Sequence, residues 1–311
     1  LCQYNGWFDI TLYTGPVFDS FYDTSWTFLI PIVMLIGLIY TSASYFKRHM
    51  YLDGGLATKH TEAKTEDYTW LNRFGNLGTF LKNDIKLIKR NKRSKTTVIM
   101  SFLFLFYGFF FFTGSVEIYD GPVWKIFAGI FISGGFLFSF GQFVPSWDSS
   151  YYPLMMSQNI QYREYLTSKW YLIIIATAAS TVLASFYLYF GWDVYLAIIV
   201  GAIYNIGVNS YLVLWGGAYI KTPIDLTSNK NAFGDKRAFN VKTLLLTIPK
   251  LVLPLLVYAV GHYLINPTAG YIAVALSGVL GYAFKERAFR MIEKIYKKEK
   301  YKTLLAYKQT D

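Results

Sequence analysis

Few side chains in this sequence have the types and spacing that enzymes use for chemistry. The histidines are His49, His60 and His262, and no His–Glu pair among them has the spacing of a metal site or an intramembrane protease. The single cysteine, Cys2, excludes an internal disulfide and a cysteine-based zinc site. The sequence has no Walker A motif, the loop that binds nucleotide phosphates, because no glycine is followed five residues later by Gly-Lys-Ser/Thr. We therefore expect no metal, no other cofactor and no enzymatic reaction.

Polar side chains within long apolar segments are the next candidates. Asn205 and Asn209 are four residues apart, so a helix places them on one face. Lys250 lies between Pro249 and Pro254 in another apolar segment. An intramembrane polar face either contacts a substrate or forms hydrogen bonds that hold helices together. Both interpretations stay open for the asparagines, and for Lys250 the alternative is a lysine that reaches toward the interface beside a proline kink.

Residues 145–170 combine tyrosines, methionines and charged residues in a polar context. Asp148 or Ser149 is predicted to cap a short helix, and a second amphipathic turn is predicted between Tyr162 and Leu166. Exposed tyrosine, methionine and arginine are typical of protein docking surfaces, and contact with lipid headgroups is the alternative. The candidate docking residues are Asp148, Tyr152, Met155, Met156, Tyr162, Arg163, Glu164 and Lys169.

The elements that carry these residues are long apolar segments. Hydrophobic residues make up 54% of the 311 residues and charged residues only 16%, where a soluble domain has about 25%. Apolar stretches of about 20 residues cross a bilayer core as helices. The sequence therefore predicts an all-α, polytopic helical membrane protein. Its seven predicted transmembrane helices are at 25–46, 97–113, 123–144, 170–190, 194–219, 244–265 and 269–284.

Basic residues are distributed unevenly between these predicted spans. All of them except Lys125 and Lys250 fall in four segments that would share one side of the membrane. Because cytoplasmic loops accumulate lysine and arginine, we expect these segments and the C-terminus in the cytoplasm. The net charge of +11 then complements anionic lipids of the inner leaflet, and a nucleic-acid partner is excluded. The four segments are 47–96, 145–169, 220–242 and 285–311.

An amphipathic helix is predicted before the second span. Apolar residues recur at helical spacing between 77 and 95, with basic residues around and after them, which is typical of a helix in the plane of the inner interface. Packing on a partner protein is the alternative. A polar stretch at 53–67 has the composition of a linker. We therefore divide the chain into a first span with its outer segment (1–46), a cytoplasmic linker (47–76) and a six-span unit with a basic tail (77–311).

Two resemblances to known families rest on longer motifs. Residues 152–169 resemble the loop of ABC-2-type exporter permeases in which a polar lead-in and an apolar run precede a membrane span, although the proline that follows the apolar run is absent here. The chain also resembles uncharacterised multi-spanning membrane proteins from the Bacteroidota, for example through Tyr-Phe-Gly-Trp at 189–192. The other motifs of that resemblance are at 82–96, 140–152 and 202–211.

These resemblances imply a function that the residues alone do not. The first implies a permease-like subunit of the bacterial inner membrane, in which the loop 148–170 couples a separate ABC-type ATPase to substrate movement, with a second copy or other membrane subunits as further partners. The second resemblance implies a multi-spanning membrane architecture. Because the chain starts at Leu1 and the similar proteins are longer, we expect additional spans upstream. A non-transporting scaffold of an envelope complex and an intramembrane lipid-modifying enzyme are the alternative hypotheses.

Overall fold

The protein is built from helices. In the part of the chain that the computed structural model describes, no β-strand is present, so the all-α prediction is confirmed there. The predicted linker at 53–67 and the loop at 114–120 lie outside the described residues. The chain divides into the units Leu1–Asp67 and Tyr68–Asp311, and the candidate residues lie in the second unit. The described residues are 29–49, 68–112, 121–158, 160–226 and 241–308, together with positions 15 and 19.

The helices follow the apolar and amphipathic segments of the sequence. Short 3-10 turns connect several of them, and a π-helical turn, Asn205–Asn209, joins α8 to α9. The helices are α1 (Leu29–His49), α2 (Gly75–Arg90), α3 (Lys92–Tyr107), α4 (Phe109–Phe112), α5 (Pro122–Ser139), α6 (Tyr152–Ser157), α7 (Tyr162–Leu183), α8 (Trp192–Tyr204), α9 (Ser210–Gly217), α10 (Val241–Leu264), α11 (Pro267–Ala283) and α12 (Lys285–Lys308).

Among the described residues, five helical segments are long and apolar enough to cross a membrane. Helices α11 and α12 pass the same test only as a pair, and they meet at a bend of 66°. The first predicted span corresponds to α1, whose apolar part, Pro31–Lys47, is shorter than the others. The described residues thus contain five or six candidate spans where the sequence predicted seven. The five segments are Lys92–Phe112, Pro122–Phe143, Tyr162–Phe190, Trp192–Gly217 and Leu245–Leu264.

Glycines bring the central helices into close contact. Where α8 crosses α5, a Cβ atom on Gly201 would lie 2.6 Å from the carbonyl carbon of Gly129. On the π-helical turn, a Cβ atom on Gly207 would overlap the carbonyl oxygen of Gly278 in α11. Small residues allow such backbone approach in membrane helices. The helical segment from α8 to α9 therefore forms the centre of the bundle, with α5 and α11 packed directly against it.

The four basic segments that the sequence assigned to one side of the membrane contact each other in the structure. Lys125, one of the two exceptions, pairs at the other end of the bundle with Asp193, with 2.7 Å between Nζ and Oδ2. The grouping predicted from charge is therefore consistent with the tertiary contacts. The ion pairs that connect the basic segments are Asp84–Lys169, Arg163–Glu286 and Lys221–Glu299.

Candidate functional site

Helix α2 is shorter than the amphipathic helix predicted at 77–95. It ends at Arg90, because Asn91 adopts an extended conformation (φ −102°, ψ 126°). The side-chain amide of Asn91 and the hydroxyl of Ser94 both donate to the carbonyl oxygen of Leu87, at 2.9 and 2.7 Å. These bonds satisfy a carbonyl group at the end of the helix. The basic residues after Asn91 therefore belong to the start of the membrane helix α3.

The buried face of α2 carries an acidic residue, Asp84, which is 2% exposed. This face packs against the first turns of α7, where Ser168 Oγ donates to Asp84 Oδ2 at 3.3 Å. Asp84 is not among the candidate residues predicted from the sequence. The signal was nevertheless present, because Asp84 follows Leu81 by three residues and precedes Ile88 by four, which places a carboxylate within the apolar stripe.

Lys169 connects Asp84 to a second carboxylate. Its Nζ contacts Asp84 Oδ1 and lies 2.8 Å from Asp148 Oδ2, and the lysine side chain is 3% exposed. Tyr165 Oη donates to the same Asp148 oxygen at 2.7 Å. Buried charges are tolerated when they are paired and hydrogen-bonded in this way. We refer to Asp84, Lys169 and Asp148 as the buried triad.

The loop after α5 positions Asp148. Trp147 stacks on Phe140 with 4.7 Å between ring centroids, and its indole Nε1 donates to the Phe140 carbonyl oxygen at 2.9 Å. The turn that contains Asp148 is thereby attached to the end of a membrane helix. The expected capping of α6 by Asp148 or Ser149 is wrong, because the residue before α6 is Tyr151 and the Asp148 carboxylate binds Lys169.

The buried triad carries an uneven charge. With both carboxylates ionised, one ammonium group faces two negative charges. Removal from water raises the pKa of Asp84 to about 6, and the nearby charge of Asp148 acts in the same direction. Lys169 and the Ser168 hydroxyl lower the pKa of Asp84, but they do not fully compensate for burial. Burial therefore shifts the protonation of Asp84 toward neutral pH.

A cleft of about 690 Å³ opens above the buried triad, between α2 and α6. We call it the α2–α6 cleft. One wall presents Lys86 and Arg90 from α2, and the other presents Leu154 and Met155 from α6. Glu164, in the first turn of α7, also contributes to the lining. The cleft thus combines charges of both signs with apolar side chains, and all three triad members line its floor.

Five of the eight predicted docking residues are buried and do not form an exposed surface. They are Asp148, Tyr152, Met156, Tyr162 and Lys169. The hydroxyl oxygens of Tyr152 and Tyr162 are 3.1 Å apart, and Tyr162 Oη donates to Met156 Sδ at 3.0 Å. The Tyr152 ring meets the edge of Tyr307 from α12. The exposure assumed from the sequence is therefore wrong for these residues. Helix α12 packs on the loop and covers Tyr152 and Tyr162, and Lys169 is buried in the ion pairs with Asp84 and Asp148.

The remaining predicted residues divide between the cleft and α12. Met155 and Glu164 line the α2–α6 cleft, together with the triad members Asp148 and Lys169. Arg163 instead pairs with Glu286, with 2.5 Å between Nη2 and Oε2, and its guanidinium carbon lies 4.6 Å from the centre of the Phe289 ring. The structure thus brings four of the eight residues together at one cleft.

A model of a protein family of unknown function, DUF5687, matches residues 1–310. The chain belongs to this family. The match covers the buried triad and the α2–α6 cleft, so both lie within the sequence that characterises DUF5687. The expected membership of an uncharacterised family is confirmed. Comparisons with curated proteins and with solved structures gave no match.

The intramembrane asparagines of this DUF5687 protein hold helices together. Asn205 Nδ2 donates to the Ile130 carbonyl oxygen and to Ser133 Oγ of α5, both at 2.9 Å. Asn209 Nδ2 donates to Asn205 Oδ1 at 2.8 Å, and both side chains are fully buried. These contacts favour the helix-packing interpretation over a substrate contact. Lys250 is also buried, at 2% exposure, so other parts of the protein cover its side chain.

Proposed function

We propose that this DUF5687 protein is the membrane-spanning, permease-like subunit of an ABC-2-type exporter in the bacterial inner membrane. A separate ATPase docks at its cytoplasmic face, and the protein itself catalyses no reaction. The proposal is supported by the resemblance of residues 152–169 to the loop of exporter permeases. It is also supported by the way in which the structure connects that loop to a membrane helix.

The observation that carries the proposal is the position of Lys169. Because it lies within the first turns of α7, it binds a carboxylate on α2 and a carboxylate just before α6 at the same time. Helix α6 begins four residues after Asp148. A force that moves α6 relative to α2 therefore acts on the end of the Tyr162–Phe190 span through charged contacts. Rigid-body movement of helices in response to a partner is a common transport mechanism.

The exposed part of α6 supplies the docking surface. Leu154 is 60% exposed and Tyr151 is 55% exposed, and both line the α2–α6 cleft. Exposed apolar and aromatic side chains that are surrounded by charged residues are typical of the centre of a protein interface. The ATPase thus contacts these residues and Met155, while the buried tyrosines of the loop transmit its movement to α12.

The remaining parts of the proposal concern the membrane. The four basic segments and the C-terminus face the cytoplasm, where they also contact anionic lipids. Helix α1 also crosses the membrane. Because it comes before the six-span unit in the chain, it brings the number of crossings to seven. A second copy or another membrane subunit completes the exporter, since closed symmetric assembly is common among membrane and soluble oligomers.

Co-purification in mild detergent, with mass-spectrometric identification of every partner, tests the proposal. We expect an ATPase with a Walker A motif, whose hydrolysis rate rises when it is reconstituted with this protein. Replacing Leu154→Asp should weaken the complex about thirtyfold, because the loss of a central apolar contact costs about 2 kcal/mol. Leu305→Asp is the matched control, since Leu305 is an equally exposed leucine on α12.

Two outcomes of these experiments would contradict the proposal. If the stable partners are envelope proteins and no ATPase is among them, the scaffold hypothesis replaces the exporter. If Leu154→Asp and Leu305→Asp bind the ATPase equally well, docking at α6 is wrong. Arg163→Glu is a poor probe of docking, because it would place a carboxylate beside Glu286 and disturb the attachment of α12.

A further inference from the structure

The buried triad contains one more negative charge than positive charge when all three groups are ionised. Asp84 and Lys169 are almost completely removed from solvent, and Asp148 is also buried. An uncompensated charge in such a place is costly, and one bound proton removes it. Burial raises the pKa of Asp84 to about 6.

The groups that face Asp84 come from each neighbouring element. Helix α7 contributes Lys169, Ser168 and Tyr165, and the loop after α5 contributes Asp148. Lys86 and Arg90 of α2, and Glu164 of α7, lie on the walls of the cleft above.

Two further elements, the 3-10 turn Thr69–Phe74 and α3, also pack against α2, and each has an arginine that contacts another group. In the 3-10 turn Thr69–Phe74, the Arg73 guanidinium lies over the Phe74 ring at 4.8 Å. In α3, Arg93 Nη1 donates to the Asp225 carbonyl oxygen at 3.0 Å. Lys169 therefore remains the only cation that the structure places in contact with Asp84 within the described residues.

We propose that Asp84 is a proton-binding site, and that its protonation controls how firmly α2 is attached to the start of the membrane helix α7. The α2–α6 cleft provides the route by which water and protons reach the site, since Asp84 lines it. With the proton bound, the triad is neutral and the contact between α2 and α7 is strongest. Without it, the excess negative charge weakens the contact and α2 separates more often.

The direction of the pH effect follows from linkage. When α2 separates, Asp84 enters water and its pKa returns toward the ordinary value of 3.8, so that opening releases a proton. The attachment is therefore complete below about pH 4, weakens as pH rises through about 6, and changes little above that. Between about pH 5 and about pH 7, opening of α2 should increase about tenfold.

Hydrogen–deuterium exchange of the purified full-length protein in lipid nanodiscs measures this opening. Peptides from α2 should exchange about tenfold faster at about pH 7 than at about pH 5, after correction for the chemical exchange rate at each pH. Asp84→Asn imitates the protonated residue, so its α2 peptides should show the same opening at both pH values. Glu164→Gln is the control, since it removes a carboxylate from the cleft wall but should preserve the tenfold difference.

Three results would overturn the proposal. Wild-type α2 peptides with no pH dependence would show that the triad does not titrate in this range. An Asp84→Asn variant that retains the tenfold difference would assign the titration to another group. A response to Na⁺ or K⁺ concentration at constant pH would identify a metal cation, and not a proton, as the ligand.

A spectroscopic measurement keeps the test valid if Asp84→Asn does not fold. The infrared carbonyl band of a protonated carboxylic acid should appear in the wild-type protein as pH falls through about 6. Asp148→Asn also leaves one carboxylate with one ammonium group, so in that variant the band should appear only at lower pH. A band that titrates identically in both proteins would contradict the proposal.

Discussion

At the residue scale, the buried triad is the most demanding feature of the protein. Lys169 forms ion pairs with two carboxylates that are separated from it by 85 and by 21 positions in the sequence. Removal of Lys169 leaves the carboxylates buried without a counterion. The free-energy cost of this change exceeds the net stabilisation that the ion pairs provide. The triad is therefore essential to stability as well as central to the proposed coupling.

We expect Lys169→Met to lower the free energy of unfolding by about 3–5 kcal/mol, because it leaves two uncompensated buried carboxylates. Thermal unfolding in detergent, followed by intrinsic fluorescence, measures the loss. Lys125→Met removes the partly exposed ion pair with Asp193 and should cost about 1 kcal/mol or less. Equal shifts of the unfolding midpoint in the two variants would show that the triad contributes no more than a surface pair.

At the element scale, the contact between the π-helical turn and α11 depends on glycine. The backbone of Gly207 lies directly against that of Gly278, and Gly281 of α11 faces the Gly207 carbonyl oxygen. Contact between apolar surfaces does little to drive the association of helices in a membrane, because lipid tails are equally apolar. Close backbone packing and hydrogen bonds therefore stabilise the contact between the helices.

Gly207→Ala tests that contact. A Cβ atom at this position overlaps the Gly278 carbonyl group, so the two helices must move apart, at a cost of about 1–3 kcal/mol. Gly37→Ala is the matched control in α1, where a Cβ atom meets nothing within 4 Å. Alanine there should be neutral or slightly stabilising because of its higher helix propensity. A Gly207→Ala protein with an unchanged unfolding midpoint would contradict the assigned packing.

At the scale of the whole molecule, the proposed orientation follows from where the basic segments meet. The contacts among α2, α6, α7 and α12 place the candidate site at one end of the bundle, and the Lys125–Asp193 pair lies at the other. An anionic inner leaflet would attract the basic end, which is why we propose that this end is cytoplasmic. The triad, the cleft and the C-terminal helix would then all face the ATPase.

Single cysteines in a Cys2→Ser background test this orientation. Thr268→Cys, at the start of α11, should react with a membrane-impermeant thiol reagent applied to intact cells. Ser157→Cys, at the end of α6, should react only after the membrane is opened. Both positions are exposed in the structure, so a difference in labelling reports the side of the membrane. The reverse pattern, or equal labelling from outside, would overturn the orientation.

The sequence alone determined that the chain forms apolar helices of membrane-spanning character, and it grouped the basic segments that contact each other in the structure. These properties are local, because each segment's partition into a bilayer depends mainly on its own hydropathy and flanking charge. The region around residues 145–170 was also recognisable as the place to look for function.

The tertiary structure decided which residues form the site. Burial of Asp84 depends on the packing of α2 against a helix about 80 positions later, which no local pattern specifies. The break at Asn91, the bend between α11 and α12, and the burial of Tyr152 and Tyr162 beneath α12 likewise result from long-range contacts. A tyrosine or a carboxylate in a polar loop is compatible with either exposure or burial. Only the position of the neighbouring helices decides between them, because burial of polar groups is stable only where partners are present.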